Sequence, residues 1–493
     1  MKWLIIFLPA CLLYQCGAAQ TAKPYIPEAP AVKTIKETGL KTDLYQFASD
    51  RFRGREAGTL DEFKGASWLA EKARSIGLKP AGDDGTFFQF FSMKRSRVAS
   101  NSSVKIGDTN LPLWRDVIVA ETVAANLNVP IVFVNDASKE GIQKLNIERK
   151  AVAIMASANG IDLGVSLPER RYYYLLEEKY AYLVDKGAAA IIFISDELGE
   201  RSWRHIVPEL SRGEYDIEGG LNEQYKKKRL PVFWVHGNAA NLLKQTGVRL
   251  RAMINIDQFD YPSVNVIGKV EGTDPSLSDE YILFSAHHDH DGIRQPYGTD
   301  SIYNGADDNG SACAALLSIA RAFKEKPGKR SVLFVWHGAE ERGLLGSQWY
   351  ATHPTVAKKS IVAVLNADMI GRNNPDSAAL LGSQLPHRNS SELVKMALDA
   401  NQEGPGFKLD TLWDKPAHPE IFYFRSDHVP YAIAGIPSVF FTTMLHSEYH
   451  TPMDEASHID YKKLTRMTQW MYRTGWKIAN SKERVRADNR NLW

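Results

Sequence analysis

Apolar positions along the chain fall into three textures. In residues 40–78 they recur at helical spacing: Leu44, Phe47 and Ala48, then Phe63, Ala66, Leu69, Ala70, Ala73 and Ile76. This predicts two helices joined by a Gly- and Arg-rich turn at 51–59, with Gly77 capping the second and Pro80 just beyond it. In residues 99–260 the apolar runs are short and β-rich: 131–134, 151–155, 190–194 and 231–235, with a helix at 174–186 ahead of the third. From Asn265 onward, near-continuous apolar runs at 281–285, 331–336 and 361–365 alternate with helical patterns at 312–324, 345–352 and 391–401. Runs without a polar face are strands buried on both sides. Strands alternating with helices make a layered α/β sandwich. The middle texture interrupts that sandwich as a separate, β-rich module.

Composition narrows the picture. At 493 residues the chain is long enough for two domains or three. Its 44% hydrophobic and 24% charged content is that of a globular protein. A formal net charge of +2 gives no field for a polyanionic partner, so nucleic acid is excluded as the expected ligand. The one basic run, Lys226-Lys227-Lys228-Arg229, reads as a solvated face. Met1-Lys2, an apolar stretch from Trp3 to Leu13 and the small residues Gly17-Ala18-Ala19 read as a secretory leader, too short to span a bilayer. Cleavage after Ala19 predicts export to the periplasm or medium. Lipid attachment at Cys16 would make the protein an outer-membrane lipoprotein instead. No later segment is apolar and long enough to cross a membrane. Of the 3 cysteines, Cys313 alone lies beyond that leader, so no disulfide framework is expected and Cys313 reads as a small buried residue in a helix.

The candidate chemistry lies in the last texture. Glu340 and Glu341 follow the apolar run 331–336 directly, His287 follows 281–285, and Asp368 follows 361–365. In α/β sheets ligands gather beyond the carboxyl ends of strands, so three strands deliver these groups to one rim. Of two adjacent carboxylates, one can bind a metal while the other moves a proton. Asp289, two residues past His287, is expected to accept from its imidazole and fix the tautomer. His288 and His290 share that strand end and are set aside in favour of His287. Asp307-Asp308 sits in a Gly-bounded loop before a helix, where a carboxylate could bridge two cations; Asp308, Asn309 and Ser311 are also suited to capping that helix. His450, in Tyr449-His450-Thr451-Pro452 after an apolar run, completes the set.

In chain order, His-x-Asp at 287–289, Gly-Ala-Asp-Asp at 305–308, Glu-Glu-x-Gly-Leu-x-Gly-Ser at 340–347, Asp-Met-x-Gly at 368–371 and Tyr-His-Thr at 449–451 resemble the motifs of the M28 family of zinc peptidases. The resemblance runs from Asn265 to about residue 478 and takes in the N-terminal helices. It implies a three-layer α/β/α sandwich with a mixed central sheet. It implies two Zn²⁺ ions held by His287, Asp307, Glu341, Asp368 and His450, with Asp307 bridging and a cis peptide after it. It also implies Glu340 as general base, Tyr449 as donor to the developing oxyanion, and peptides as substrates that lose N-terminal residues. The middle module resembles a protease-associated (PA) domain around 179–192. The expected organisation is a leader at 1–19, tether and helices at 20–98, the PA-like insert at 99–260, the catalytic domain at 261–480 and a tail at 481–493. Three other readings remain: a carboxypeptidase or dipeptidase, which needs a basic pocket for which Arg372 and Arg425 are candidates; a single-zinc glutaminyl-cyclase-like transferase; and a non-catalytic receptor-like protein.

Overall fold

The computed structural model describes residues 29–135, 137–156, 181–220 and 229–488. The leader with Cys16, most of the helix expected at 174–186, the lysines of the basic run and the end of the tail lie outside the described residues. The two N-terminal patterns form α1 (Glu37–Phe47) and α2 (Leu60–Ile76). Thr59 caps α2 by accepting from the amides of Asp61 and Glu62, and Gly77 ends it at φ 85°, as its position after the last apolar residue predicts.

β1 (Phe88–Val98) leads out of the main sheet and β2 (Ile256–Val270) leads back. They pair antiparallel from Val98↔Ile256 to Phe88↔Val266. β2 starts before the change of texture at Asp260, because its first residues, such as Asp257 and Gln258, give no apolar signal. Between β1 and β2 stands a second sheet of eight strands. Its centre is the four apolar runs seen in the sequence, now Ala125–Val134, Ala151–Ala156, Ala190–Ser195 and Val232–Val235, all parallel. The same segment contributes α3 (Glu197–Arg212) and a short strand, Glu214–Asp216, which rejoins the main sheet beside β1.

β3 (Tyr281–His287), β4 (Ser331–His337), β5 (Ile361–Ala367), β6 (Ser377–Leu381) and β7 (Ser438–Thr442) complete the centre of the main sheet. Its order is β6-β7-β5-β3-β4-β2-β1. The pairs β7·β5, β5·β3 and β3·β4 are parallel, whereas β6, β2 and β1 join antiparallel, so the sheet is mixed. Helices α4 (Ala312–Glu325), α5 (Leu345–Thr352), α6 (Ser391–Glu403) and α7 (Tyr461–Asn480) cover it. Phe284, Phe334 and Trp336 share one core with Leu316 and Phe323 of α4 and Met467 and Trp470 of α7. Leu283, Leu333, Val335 and Val364 face the other way, against Tyr350 of α5 and Tyr431. Burying one such side chain contributes roughly 1.5–3 kcal/mol, so strands covered on both faces are apolar at most positions. α7 lies close to the sheet because Gly475 faces Phe284, whose ring would stand 2.3 Å from an added Cβ.

Candidate metal centre

Parallel β3, β4 and β5 end side by side, His287 opposite His337 and Ser285 opposite Asn366. Their carboxyl ends therefore bring His287, the turn Ala339-Glu340-Glu341 and Asp368 to one rim. The loop after β7 brings Tyr449 and His450 to the same place. Two groups of metal-competent atoms result, each within 4.8 Å: His287, Glu340 and Asp368, and His290, Asp308, Glu341 and His450.

Asp308 joins the two groups. Its Oδ1 lies 3.1 Å from His287 Nε2 and its Oδ2 lies 3.1 Å from His450 Nε2. His287 Nε2 is also 3.4 Å from Asp368 Oδ1, and His450 Nε2 is 3.2 Å from Glu341 Oε2. Two ligands bound to one tetrahedral zinc at about 2.0–2.1 Å stand about 3.3 Å apart, so the pairs already have the spacing of shared coordination. His287 Nε2, His450 Nε2 and Asp368 Oδ1 are buried with no aligned hydrogen bond. Buried polar atoms rarely stay so without a partner. The donor set therefore fits divalent cations of the zinc type.

The charges agree with this geometry. Burial opposes a protonated His287, yet Glu340 and Asp368 raise its pKa well above the ordinary value. His450 behaves likewise, with Glu341 and Tyr449 overcoming burial. Burial and Glu341 disfavour ionised Asp308, but the adjoining His287 and His450 imidazoles hold it below the usual carboxylate range. Glu340 is pushed well upward, chiefly by burial, with Glu341 and Asp368 adding to the rise despite His287.

Five expectations differ from the structure. Asp307, expected to bridge, turns away: its Oδ1 accepts from the Gly371 amide at 2.7 Å, and it belongs to neither group. The non-proline cis peptide joins Asp308 to Asn309, one position later than expected, and it is the Asp308 carboxylate that lies between the two imidazoles. Capping of α4 also fails, since Asn309 donates to the Ala367 carbonyl and Ser311 to that of Asp307. Asp289 holds His287 Nδ1 through its backbone oxygen at 3.1 Å; its carboxylate is 3.8 Å from that nitrogen and accepts instead from the amides of Glu340 and Glu341. Asp289 thus anchors the glutamate turn. His290, set aside in the sequence, lies 2.8 Å by Nδ1 from Glu341 Oε1, leaving Oε2 toward His450. Nothing in its spacing distinguishes it from His288, whose Nε2 meets the Val264 carbonyl away from the site. Tyr449 accepts from Arg425 Nη2 at 3.0 Å, which leaves its own proton free to donate.

A mixed α/β/α sandwich whose parallel strands end in two linked imidazole–carboxylate groups is the architecture of a metallopeptidase. Residues 265–474 match the model of Peptidase family M28. Aminopeptidase YwaD of Bacillus subtilis (strain 168) is 29% identical over 235 residues, 46% of this chain and 46% of that protein. Leupeptin-inactivating enzyme 1 of Streptomyces exfoliatus is 34% identical over 185 residues, 35% of this chain and 34% of that protein. The matches thus span half or less of the length of these curated relatives. Among solved structures, an aminopeptidase from Aneurinibacillus sp. strain AM-1 superposes with a TM-score of 0.60 at 17% identity, over 92% of this chain and 97% of that one. The zinc aminopeptidase BSAP from Bacillus subtilis does so at 0.56 and 20%, over 93% and 99%. At these identities the likeness is one of fold, and its coverage takes in the second sheet.

Proposed function

We propose that the protein is an exported di-zinc aminopeptidase that removes N-terminal residues from peptides. The observation that carries this reading is the Asp308 carboxylate, whose two oxygens each stand 3.1 Å from a different imidazole. His287, Asp368 and Asp308 would hold one ion; Glu341, His450 and Asp308 would hold the other, with His290 steadying Glu341. When bound, the zinc ions supply Lewis acidity, polarising the peptide carbonyl and easing ionisation of water near neutral pH. Glu340 takes the proton of the attacking water and delivers it to the leaving amine. Its Oε2 lies 3.8 Å from His287 Nε2, so it faces the reacting space beside the ligands. Tyr449, its oxygen held by Arg425, donates to the oxyanion as it forms. The second sheet is read as the PA-like insert and the leader at 1–19 as the export signal.

The carboxypeptidase reading finds no support in its two candidate cations. Arg372 Nη2 meets Glu448 at 2.6 Å and Arg425 Nη1 meets Glu420 at 2.8 Å. A single-zinc transferase leaves the double contact of Asp308 without a purpose. Two assays test the proposal. Aminoacyl chromogenic substrates and C-blocked peptides with a free amine should be cleaved, N-blocked peptides should not, and a chelator should abolish the cleavage. Glu340→Gln should retain its zinc and lose at least about a hundredfold in kcat; near-normal turnover by that variant would reject the general-base role.

A further inference from the structure

Behind His450 lies a carboxylate that this chemistry does not use. Asp291 is fully buried, and its Oδ2 stands 3.3 Å from His450 Nδ1, the ring nitrogen pointing away from Asp308. Its Oδ1 meets three guanidiniums. It pairs with Arg294 and lies 3.6 Å from Arg342 Nη1 and 3.8 Å from Arg212 Nη1. Arg294 and Arg342 belong to the catalytic domain. Arg212 is the last residue of α3, in the segment that builds the second sheet, and Glu209 of the same helix pairs with Arg294. Glu56, from the N-terminal segment, lies 3.5 Å from Arg342 and 3.9 Å from Arg212.

The three arginine side chains are only 12%, 9% and 4% exposed, for Arg212, Arg294 and Arg342. Charges so desolvated demand partners, and removing one leaves the others uncompensated. Asp291 is therefore pinned from both sides of the junction between the second sheet and the catalytic domain. An imidazole that binds a cation through one nitrogen needs its other nitrogen fixed, and a carboxylate acceptor also makes it a stronger ligand. The His287 half of the centre is built differently: there Nδ1 meets a backbone oxygen at 3.1 Å, and the nearest carboxylate oxygen, of Asp289, is 3.8 Å away.

We propose that Asp291 is a positioning residue for His450 and that the second-sheet segment, through Arg212 and Glu209, holds Asp291 in place, so that this segment tunes zinc binding at the His450 half of the centre and not at the His287 half. The inference rests on the dinuclear reading above. Metal-stripped full-length protein titrated with zinc against a chromophoric chelator separates the two affinities. Asp291→Asn should weaken one ion by about 10–100-fold and leave the other nearly unchanged. Arg212→Gln should weaken the same ion by a smaller factor, and Arg212→Lys should recover most of that loss. Arg212 lies at the edge of the cluster, so its variants decide the matter if Asp291→Asn does not fold. Unchanged affinities in the Arg212 variants, or equal losses at both ions, overturn the coupling. An unaltered protein that takes up fewer than two zinc ions overturns the dinuclear reading itself, and this inference with it.

Discussion

Asp307 and Asp308 are neighbours, both buried, yet they carry opposite electrostatics. Burial and Asp454 push Asp307 up to about 8, so it is protonated at neutral pH. Asp308 is held ionised by two imidazoles. Asp307→Asn should accordingly keep zinc, because an amide preserves the acceptor for the Gly371 amide. Asp308→Asn should lose most of it. Elemental analysis of the two purified variants checks the pair, and zinc loss confined to Asp307→Asn would reverse the assignment. A second expectation concerns protons. His287 and His450 have raised pKa values and so carry protons at neutral pH, whereas zinc binds only neutral imidazole. Zinc uptake near pH 7 should therefore release protons, and affinity should fall as pH drops. Calorimetry in buffers of different ionisation enthalpy measures the release, and a count of zero would contradict it. The sequence reveals the aspartate doublet but not which member bridges, because backbone geometry after Asp308 decides that.

At the level of elements, the strands were legible because they are apolar on both faces, and α5 was legible residue for residue. Strand ends ran past their apolar signal: His287, His337 and Ala367 still pair in the sheet although two of them are polar. Of the two, His287 reaches the candidate centre, whereas His337 lies against Tyr431 and Asn265. The loop after β3 is tighter than any pattern could show. Gly305, at φ 54°, would put an added Cβ 2.2 Å from the Asp308 carbonyl oxygen and 2.5 Å from the His290 ring. Gly305→Ala should thus displace two zinc-side residues at once. It should lower zinc affinity more than Gly39→Ala, where nothing lies within 4 Å; competition against a chelator compares them.

Across the whole molecule, the N-terminal helices are tied to the centre by one cation. Arg55, fully buried, donates to the backbone oxygens of His288, Phe47, Asn304 and Gly305. Arg55→Leu strands these acceptors, and each buried unmet acceptor costs about 1–3 kcal/mol. The melting temperature should fall by about 5 °C or more, a drop that differential scanning calorimetry would record; an unchanged transition would show that the arginine is dispensable. The sequence flagged this turn as Arg-rich without saying what Arg55 reaches, because three of its four acceptors, on His288, Asn304 and Gly305, lie more than two hundred residues away. It likewise separated the two sheets by texture, but gave no sign that Glu214–Asp216 returns to the edge of the first.

Val98 sits directly across from Ile256, so the chain departs from its main sheet and comes home at the same doorway. A whole cassette can be spliced in or out at such a threshold, at the loss of only the short edge strand Glu214–Asp216 from the main sheet. A tight reverse turn bridging the gap would leave the scaffold closed, while the cluster behind His450 would lose its outside hand.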